Sequence, residues 1–138
     1  MSRIQLALRV ADLEGSIAFY SRLFGTPPAK RRAGYANFAV AEPPLKLVLI
    51  EGEEGQGTGL DHLGVEVAST GEVAAATARL RDAGLATAEE NAVSCCYALQ
   101  DKVWVTGPGG EPWEVYTVTG DADTLAKDGA AAPSACCG

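Results

Sequence analysis

The chain has 138 residues, 47% of them hydrophobic, and a formal net charge of −7. This length suits one compact domain, and the apolar content argues against a wholly disordered chain. The acidic balance disfavours nucleic acid and anionic membranes as partners, since the longest basic run is Lys30–Arg32. No apolar run approaches transmembrane length, and no signal peptide is predicted. The four cysteines form two doublets, a poor disulfide framework, so we expect a reducing, cytoplasmic location.

The first predicted elements are a strand over Ile4–Val10 and a helix over Leu13–Phe24. The strand alternates aliphatic and polar residues, as half-buried strands do. Asp12 is placed to cap the helix, and Gly25 is placed to end it in a left-handed conformation. Two more predicted strands complete a first unit at residues 2–52: Tyr35–Val40 and Leu45–Glu51.

A second unit at residues 59–118 repeats this order of elements after a polar, Gly-rich linker. It opens with a strand over Asp61–Val67. Its helix is predicted over Gly71–Ala83, where Ser69 and Glu72 form a capping-box pattern. Three predicted strands follow the helix: Val93–Leu99, Lys102–Thr106 and Trp113–Val118.

The two units are related by a shift of 57 residues, which places Leu6 on Leu63 and Gln5 on His62. In both opening strands the aliphatic side chains take one face, and Gln5 or His62 takes the other. The duplicated βαβββ order predicts an α+β fold in which these two polar side chains meet near an internal twofold axis. The two units could pair within one chain or between the chains of a homodimer.

The composition changes to Ala, Asp, Gly, Pro and Ser from about residue 120. We therefore predict a single domain at residues 1–119 and a flexible tail at 120–138. Cys136 and Cys137 lie in this tail. They either capture a thiophilic ligand and deliver it to the domain, or have no role in turnover; we favour the second interpretation.

A second cysteine doublet, Cys95–Cys96, lies within the domain. Neighbouring Cα atoms are about 3.8 Å apart, whereas a relaxed disulfide needs about 4.4–6.8 Å, so we predict that the pair is reduced. Two adjacent thiolates select soft centres such as trivalent arsenic or cadmium. The simpler interpretation is that both are small buried side chains, as free cysteines often are.

The duplicated units and two motifs resemble the vicinal oxygen chelate superfamily, which includes glyoxalase I, extradiol dioxygenases and bleomycin-resistance proteins. The motifs are Asp12 with Ser16–Tyr20 and Gly25, and the segment Gly107–Glu114. This resemblance implies paired sheets around a cavity that holds a divalent metal. The ligands that it implies come from the first strand of each unit and the last strand of the second: Gln5, His62 and Glu114.

Within that superfamily, the segments Asn91–Tyr97 and Asp101–Val105 are similar to the carbon–arsenic lyases and the related cadmium-induced proteins. The resemblance implies an iron(II)-dependent enzyme that uses dioxygen to cleave the carbon–arsenic bond of trivalent organoarsenicals. It also implies that Cys95 and Cys96 bind the arsenic.

The metal site departs from the pattern of two histidines and a carboxylate that many iron(II) oxygenases use. His62 is the one histidine of the chain, and the matching strand of the first unit offers Lys46 or Leu47 in place of a carboxylate. Other divalent metals such as Ni, Co, Zn or Mn could therefore substitute for iron. Glu114 lies in an otherwise apolar strand, where a carboxylate needs a partner such as a metal.

Two alternatives belong to other functional classes. One is a non-catalytic protein that sequesters cadmium or arsenic through its cysteine pairs, which oxygen uptake with substrate would distinguish from an enzyme. The other is a drug-binding resistance protein of the same fold, in which Gln5, His62 and Glu114 would hold no metal.

Overall fold

The computed structural model of the protein describes residues 2–125. Two helices and eight strands form two βαβββ units in one chain, which confirms the predicted α+β class and the duplication. The elements are β1 (Arg3–Val10), α1 (Leu13–Phe24), β2 (Lys30–Arg32), β3 (Tyr35–Val40), β4 (Leu45–Glu51), β5 (Gly59–Glu66), α2 (Thr70–Asp82), β6 (Ala88–Cys95), β7 (Ala98–Thr106) and β8 (Pro112–Asp121). Cys136, Cys137 and most of the predicted tail lie outside the described residues.

All eight strands belong to one sheet, in the order β2-β3-β4-β1-β5-β8-β7-β6. The first strands of the two units, β1 and β5, are antiparallel neighbours at the centre. Each also pairs in parallel with the last strand of its own unit, β4 or β8. The two halves of the sheet are therefore related by an approximate twofold axis between β1 and β5.

Helix α1 has its predicted bounds, and α2 differs from its predicted bounds by one residue at each end. The Asp12 side chain accepts a hydrogen bond from the Gly15 amide at the start of α1, and Gly25 ends that helix with φ of 66°. The Ser69 side chain caps α2 in the same way, so this helix begins one residue earlier than predicted. No helix within residues 2–125 is long and apolar enough to cross a membrane.

Both helices pack on the same side of the sheet. Leu13 and Ile17 of α1 belong to a buried cluster with Phe38, and Val73 and Leu80 of α2 pack in a second cluster with β7. The opposite face of the sheet is left for the polar side chains of the central strands.

The second unit differs from the prediction between its helix and β8. A two-residue turn at Cys96 and Tyr97, where φ is 52° and 59°, separates β6 from β7. The prediction placed the break near residue 100, because a turn of this kind usually carries Asn or Gly, and neither residue occurs there. β8 also continues to Asp121, past its predicted end at Val118. The short strand β2 has no apolar pattern and was not predicted.

Candidate active site

Gln5, His62 and Glu114 converge on the face of the sheet opposite the helices. They lie on β1, β5 and β8, which are neighbours at the centre of the sheet. The Gln5 Nε2 atom donates to Glu114 Oε2 at 2.8 Å, and His62 Nε2 lies 2.9 Å from the same oxygen. All three side chains are buried. The structure thus brings together the three residues that the resemblance singled out.

Gly64 has no side chain, and this provides the space in which the Gln5 and Glu114 side chains meet. It pairs with Gln5 on one side and Glu114 on the other. A Cβ atom at this position would lie 2.9 Å from Glu114 Cγ, 3.0 Å from the Glu114 carbonyl oxygen and 3.1 Å from Gln5 Nε2. A side chain larger than hydrogen therefore pushes the Gln5 and Glu114 side chains apart.

We expect Gly64→Ala to lower the free energy of unfolding by about 1–3 kcal/mol, because overpacking a buried site forces its neighbours to shift. The matched control is Gly59→Ala on the same strand, where an added Cβ meets no atom within 4 Å. Urea unfolding of both variants measures the effect. Equal stabilities of the two variants would contradict the tight fit at Gly64.

The register of the first unit corrects one sequence-based expectation. Gly64 corresponds to Ala7 under the repeat, and Ala7 pairs with Val48 on β4. The counterpart of Glu114 is therefore Val48, not Lys46 or Leu47. Val48 is buried in a cluster with Ala7 and offers no donor atom, so the first unit contributes Gln5 alone to the site.

Asp61 fixes the orientation of the His62 ring. Its Oδ2 atom lies 2.6 Å from His62 Nδ1, and its Oδ1 atom accepts from Arg9 at 2.7 Å. A carboxylate at Nδ1 leaves Nε2 to face Glu114, which is the usual arrangement behind a metal-binding histidine. The edge of the His62 ring also meets Trp104, with ring centroids 5.7 Å apart. Asp61 was not among the site residues predicted from the sequence.

Lys102 is a second residue that the sequence analysis missed. Its side chain is fully buried, and its Nζ atom lies 2.7 Å from Glu114 Oε1. The ammonium group also lies 5.3 Å from the Trp104 ring centroid and 5.9 Å from that of Tyr116. The sequence gives little signal for it, because Lys102 directly follows the polar residues Gln100 and Asp101 in β7. Glu114 therefore has a different partner at each oxygen.

The charged groups around Glu114 shift the pKa values of one another, so that each favours the ionised form of its neighbours. Burial alone would lower the pKa of His62, but its hydrogen bonds to Asp61 and Glu114 outweigh burial and raise the pKa to about 9. Burial would raise the pKa of Glu114, but the Lys102 charge and the His62 hydrogen bond lower it to about 2. Without metal, the site therefore holds a protonated His62 and an ionised Glu114 at neutral pH.

This arrangement predicts a pH-dependent stability of the metal-free protein. Because the pKa of His62 is raised from 6.5 to about 9, its contribution is complete below pH 6.5 and is lost as the pH rises through about 9. Thermal unfolding of chelator-treated protein between pH 6 and 10 measures this loss. The matched variant His62→Gln should show a flatter profile, and identical profiles would contradict the assignment.

The three side chains fit a divalent metal with harder ligands. Ligands bound at right angles about 2.1 Å from one metal lie about 3 Å apart, close to the separations at Glu114 Oε2 of 2.8 and 2.9 Å. An imidazole, a carboxylate and an amide oxygen suit a borderline or hard metal ion. Three protein ligands would leave coordination positions open for other molecules. Within residues 2–125, three His, Cys, Asp or Glu side chains nowhere cluster as a metal site, and the polar side chain that joins His62 and Glu114 here is the Gln5 amide.

The cysteine doublet lies at the end of β6 and in the turn that follows it. Left-handed backbone at Cys96 brings its sulfur to the same side as that of Cys95, with the two Sγ atoms 3.8 Å apart. They are therefore not bonded to each other, since a disulfide is about 2.05 Å long. Both sulfurs are buried in a cluster that includes Ala7 and Tyr35, and Trp104 packs against it.

The prediction that both cysteines are reduced is wrong for Cys95. Cys95 is disulfide-bonded, whereas Cys96 is a thiol. Reduction of Cys95 is therefore a condition for any ligand that needs both sulfurs.

The turn that carries the cysteines is held by backbone contacts from distant parts of the chain. The Cys96 and Tyr97 amides donate to the carbonyls of Leu125 and Thr124, each at 2.9 Å. Lys30 donates to the Tyr97 carbonyl at 3.0 Å. The first residues of the predicted flexible tail thus pack against the turn.

Comparisons with known proteins agree on the family. Residues 3–115 match the Glyoxalase/Bleomycin resistance protein/Dioxygenase superfamily. A trivalent organoarsenical cleaving enzyme of Thermomonospora curvata is 72% identical over 99% of this chain and 89% of its own length. Cadmium-induced protein CadI of Mycobacterium tuberculosis is 64% identical over 91% of this chain and 82% of its own. The Mn(II)-bound glyoxalase of Novosphingobium aromaticivorans shares the fold, with a TM-score of 0.60 and 24% identity over 91% of this chain and 44% of that one.

Proposed function

Since the chain belongs to the Glyoxalase/Bleomycin resistance protein/Dioxygenase superfamily, we propose that it is an iron(II)- and dioxygen-dependent lyase for the carbon–arsenic bond of trivalent organoarsenicals. The name and the 72% identity of the Thermomonospora relative support the substrate class. The observation that carries the proposal is that two sulfurs and an N/O cluster lie on one face of one sheet, with Trp104 packed against both.

The two groups of ligands have different tasks. Reduced Cys95 and Cys96 hold the arsenic, because adjacent thiolates prefer a soft centre. Gln5, His62 and Glu114 would hold the metal, which as iron(II) would activate dioxygen. The electrons that reduce dioxygen would come from the organoarsenical, whose carbon is oxidised as the carbon–arsenic bond breaks. Holding the arsenical beside the metal site makes the oxidative step effectively intramolecular. For a methyl substituent the products are arsenite and an oxidised one-carbon fragment.

The buried side chains around Glu114 hold the proposed metal ligands in position before a metal binds. Asp61 keeps the His62 Nε2 atom aimed at Glu114, so the ring does not have to reorient when a metal binds. Metal binding at Nε2 displaces a proton from His62, since the ring is protonated in the metal-free state at neutral pH. A reducing cytoplasm would keep Cys95 available for arsenic, so we also propose that location.

The proposal is tested by reconstituting metal-free, reduced protein with iron(II) under anaerobic conditions and adding methylarsenite. Arsenite should appear once oxygen is admitted, with matching oxygen uptake. Arsenite release without iron or without oxygen would contradict the proposed reaction. Tight binding of the arsenical with no oxygen uptake would favour a non-catalytic arsenic- or cadmium-binding protein.

A further inference from the structure

In the structure, the Gln5 amide presents the wrong end to a metal. Its Nε2 atom donates to Glu114 Oε2 at 2.8 Å, and its Oε1 atom accepts from the Tyr116 hydroxyl at 2.6 Å. An amide nitrogen has no lone pair to give to a metal, so Gln5 can act as a ligand only through Oε1. Metal binding therefore requires the Gln5 amide to turn over.

If the Gln5 amide turns over, the Tyr116 hydroxyl must change its hydrogen bonds. The Gln5 Nε2 group would then face the Tyr116 oxygen, which must accept a hydrogen bond and direct its own proton elsewhere. The other acceptor within reach is Glu66 Oε1, 3.5 Å from the Tyr116 oxygen. Arg3 holds this Glu66 oxygen in place through contacts of 2.8 and 2.9 Å. Tyr116 itself is 1% exposed, so water does not readily replace Glu66 as an acceptor.

We infer that Tyr116 and Glu66 are positioning residues whose hydrogen bonds set which end of the Gln5 amide faces the metal. Without metal, Tyr116 donates to Gln5; with metal, it accepts from Gln5 and donates to Glu66. Glu66 thus provides the acceptor that makes the metal-binding orientation of Gln5 favourable. This inference rests on the proposed function only in taking Gln5 as a metal ligand.

The hydrogen bonds from Gln5 through Tyr116 to Glu66, here called the relay, predict that two substitutions at Glu66 differ in their effect on metal affinity. Glu66→Leu removes the alternative acceptor, so Tyr116 keeps donating to Gln5 Oε1 and holds the amide in the metal-free orientation. Glu66→Gln keeps an acceptor oxygen and loses only the charge. Both variants lose the ion pair with Arg3, but a Gln side chain can still accept an uncharged hydrogen bond from Arg3. Thermal unfolding of each variant therefore separates a structural effect from an effect on metal affinity. The cavity of about 480 Å³ that Glu66 lines gives room for either side chain.

Tyr116→Phe should suppress the loss of metal affinity that Glu66→Leu causes. This substitution removes the hydroxyl that forms a hydrogen bond with Gln5, both without metal and with metal bound. Its own effect on metal affinity is therefore small. In the double variant Glu66→Leu/Tyr116→Phe the hydroxyl that locks Gln5 is absent. The double variant should therefore bind metal more tightly than Glu66→Leu alone.

The experiment titrates metal-free protein with Co(II) and follows its visible absorption, with thermal unfolding recorded for every variant. We expect Glu66→Leu to weaken Co(II) binding about 10-fold, in the range for residues behind metal ligands. Glu66→Gln and the double variant should bind within about 3-fold of the wild type. Equal affinities of Glu66→Leu and Glu66→Gln, with wild-type binding intact, would overturn the relay alone. Failure of the wild type to bind Co(II) would overturn the metal site and the relay together.

Discussion

Glu114→Gln should reduce turnover of trivalent organoarsenical by about 10³-fold or more, which corresponds to about 4 kcal/mol of transition-state stabilisation. Glu114 Oε2 is the atom at which Gln5 and His62 meet, so the substitution removes the one carboxylate of the proposed metal site. Metal affinity should fall with activity. Isothermal titration with Co(II) and arsenite release under oxygen measure the two effects.

The same substitution should also destabilise the fold by about 3 kcal/mol, because it removes the buried carboxylate that lies 2.7 Å from the Lys102 ammonium group. This loss of stability has its own control. The double variant Glu114→Gln/Lys102→Met removes the buried charge as well, so it should regain most of the stability and none of the metal binding. If the double variant regained metal binding and turnover, the role of Glu114 as a ligand would be wrong.

Cys95→Ser and Cys96→Ser should each lower kcat/KM for methylarsenite by about 10²-fold or more, measured with excess reductant. Each variant removes one of the two sulfurs that chelate the arsenic, and with it the positioning of the substrate beside the metal. Iron(II) and Co(II) binding should stay close to that of the wild type, because no sulfur is assigned to the metal.

The neighbouring Ser94→Ala is the matched control for these variants. Ser94 lies next to Cys95 on β6, and its hydroxyl oxygen lies 3.3 Å from that of Thr124. This variant should keep near wild-type turnover and arsenical affinity. Near wild-type activity of either cysteine variant would rule out chelation by both sulfurs, and loss of metal binding in either would place a sulfur on the metal.

Most of the fold was predictable because its units carry strong local signals. Alternating aliphatic residues define β1 and β5, and the Asp12 and Ser69 caps fix the starts of both helices. The repeat then relates Gln5 to His62 without any knowledge of the structure. Because neighbouring strand residues point to opposite faces, two sulfurs that act together also predict an irregular stretch at Cys95–Cys96, and the turn there agrees with this. The strand bounds Val93–Leu99 were wrong, since the left-handed backbone is held by distant segments and not by a local turn motif.

The site was only partly predictable for a related reason. Gln5, His62 and Glu114 came from the repeat and from family resemblance, whereas Asp61 and Lys102 become meaningful only through distances to their neighbours. Asp61 is the extra residue of β5 where its pairing with β1 is irregular, between Ala7 and Leu8, and a bulge of this kind changes the direction of a side chain. Lys102 reaches Glu114 because the register of β7 and β8 pairs Lys102 with Tyr116 and Trp104 with Glu114. The Gly-rich turn at residues 107–110 indicates that the two strands are neighbours but does not specify this register.

The central claim is that soft sulfur holds the arsenic while harder N and O ligands hold the iron. X-ray absorption at the arsenic and iron edges of one anaerobic sample, containing reduced protein, iron(II) and methylarsenite, tests it most directly. The predicted result is arsenic with two sulfur neighbours and iron with only N and O neighbours. Sulfur bound to iron, or arsenic with fewer than two sulfur neighbours, would contradict it.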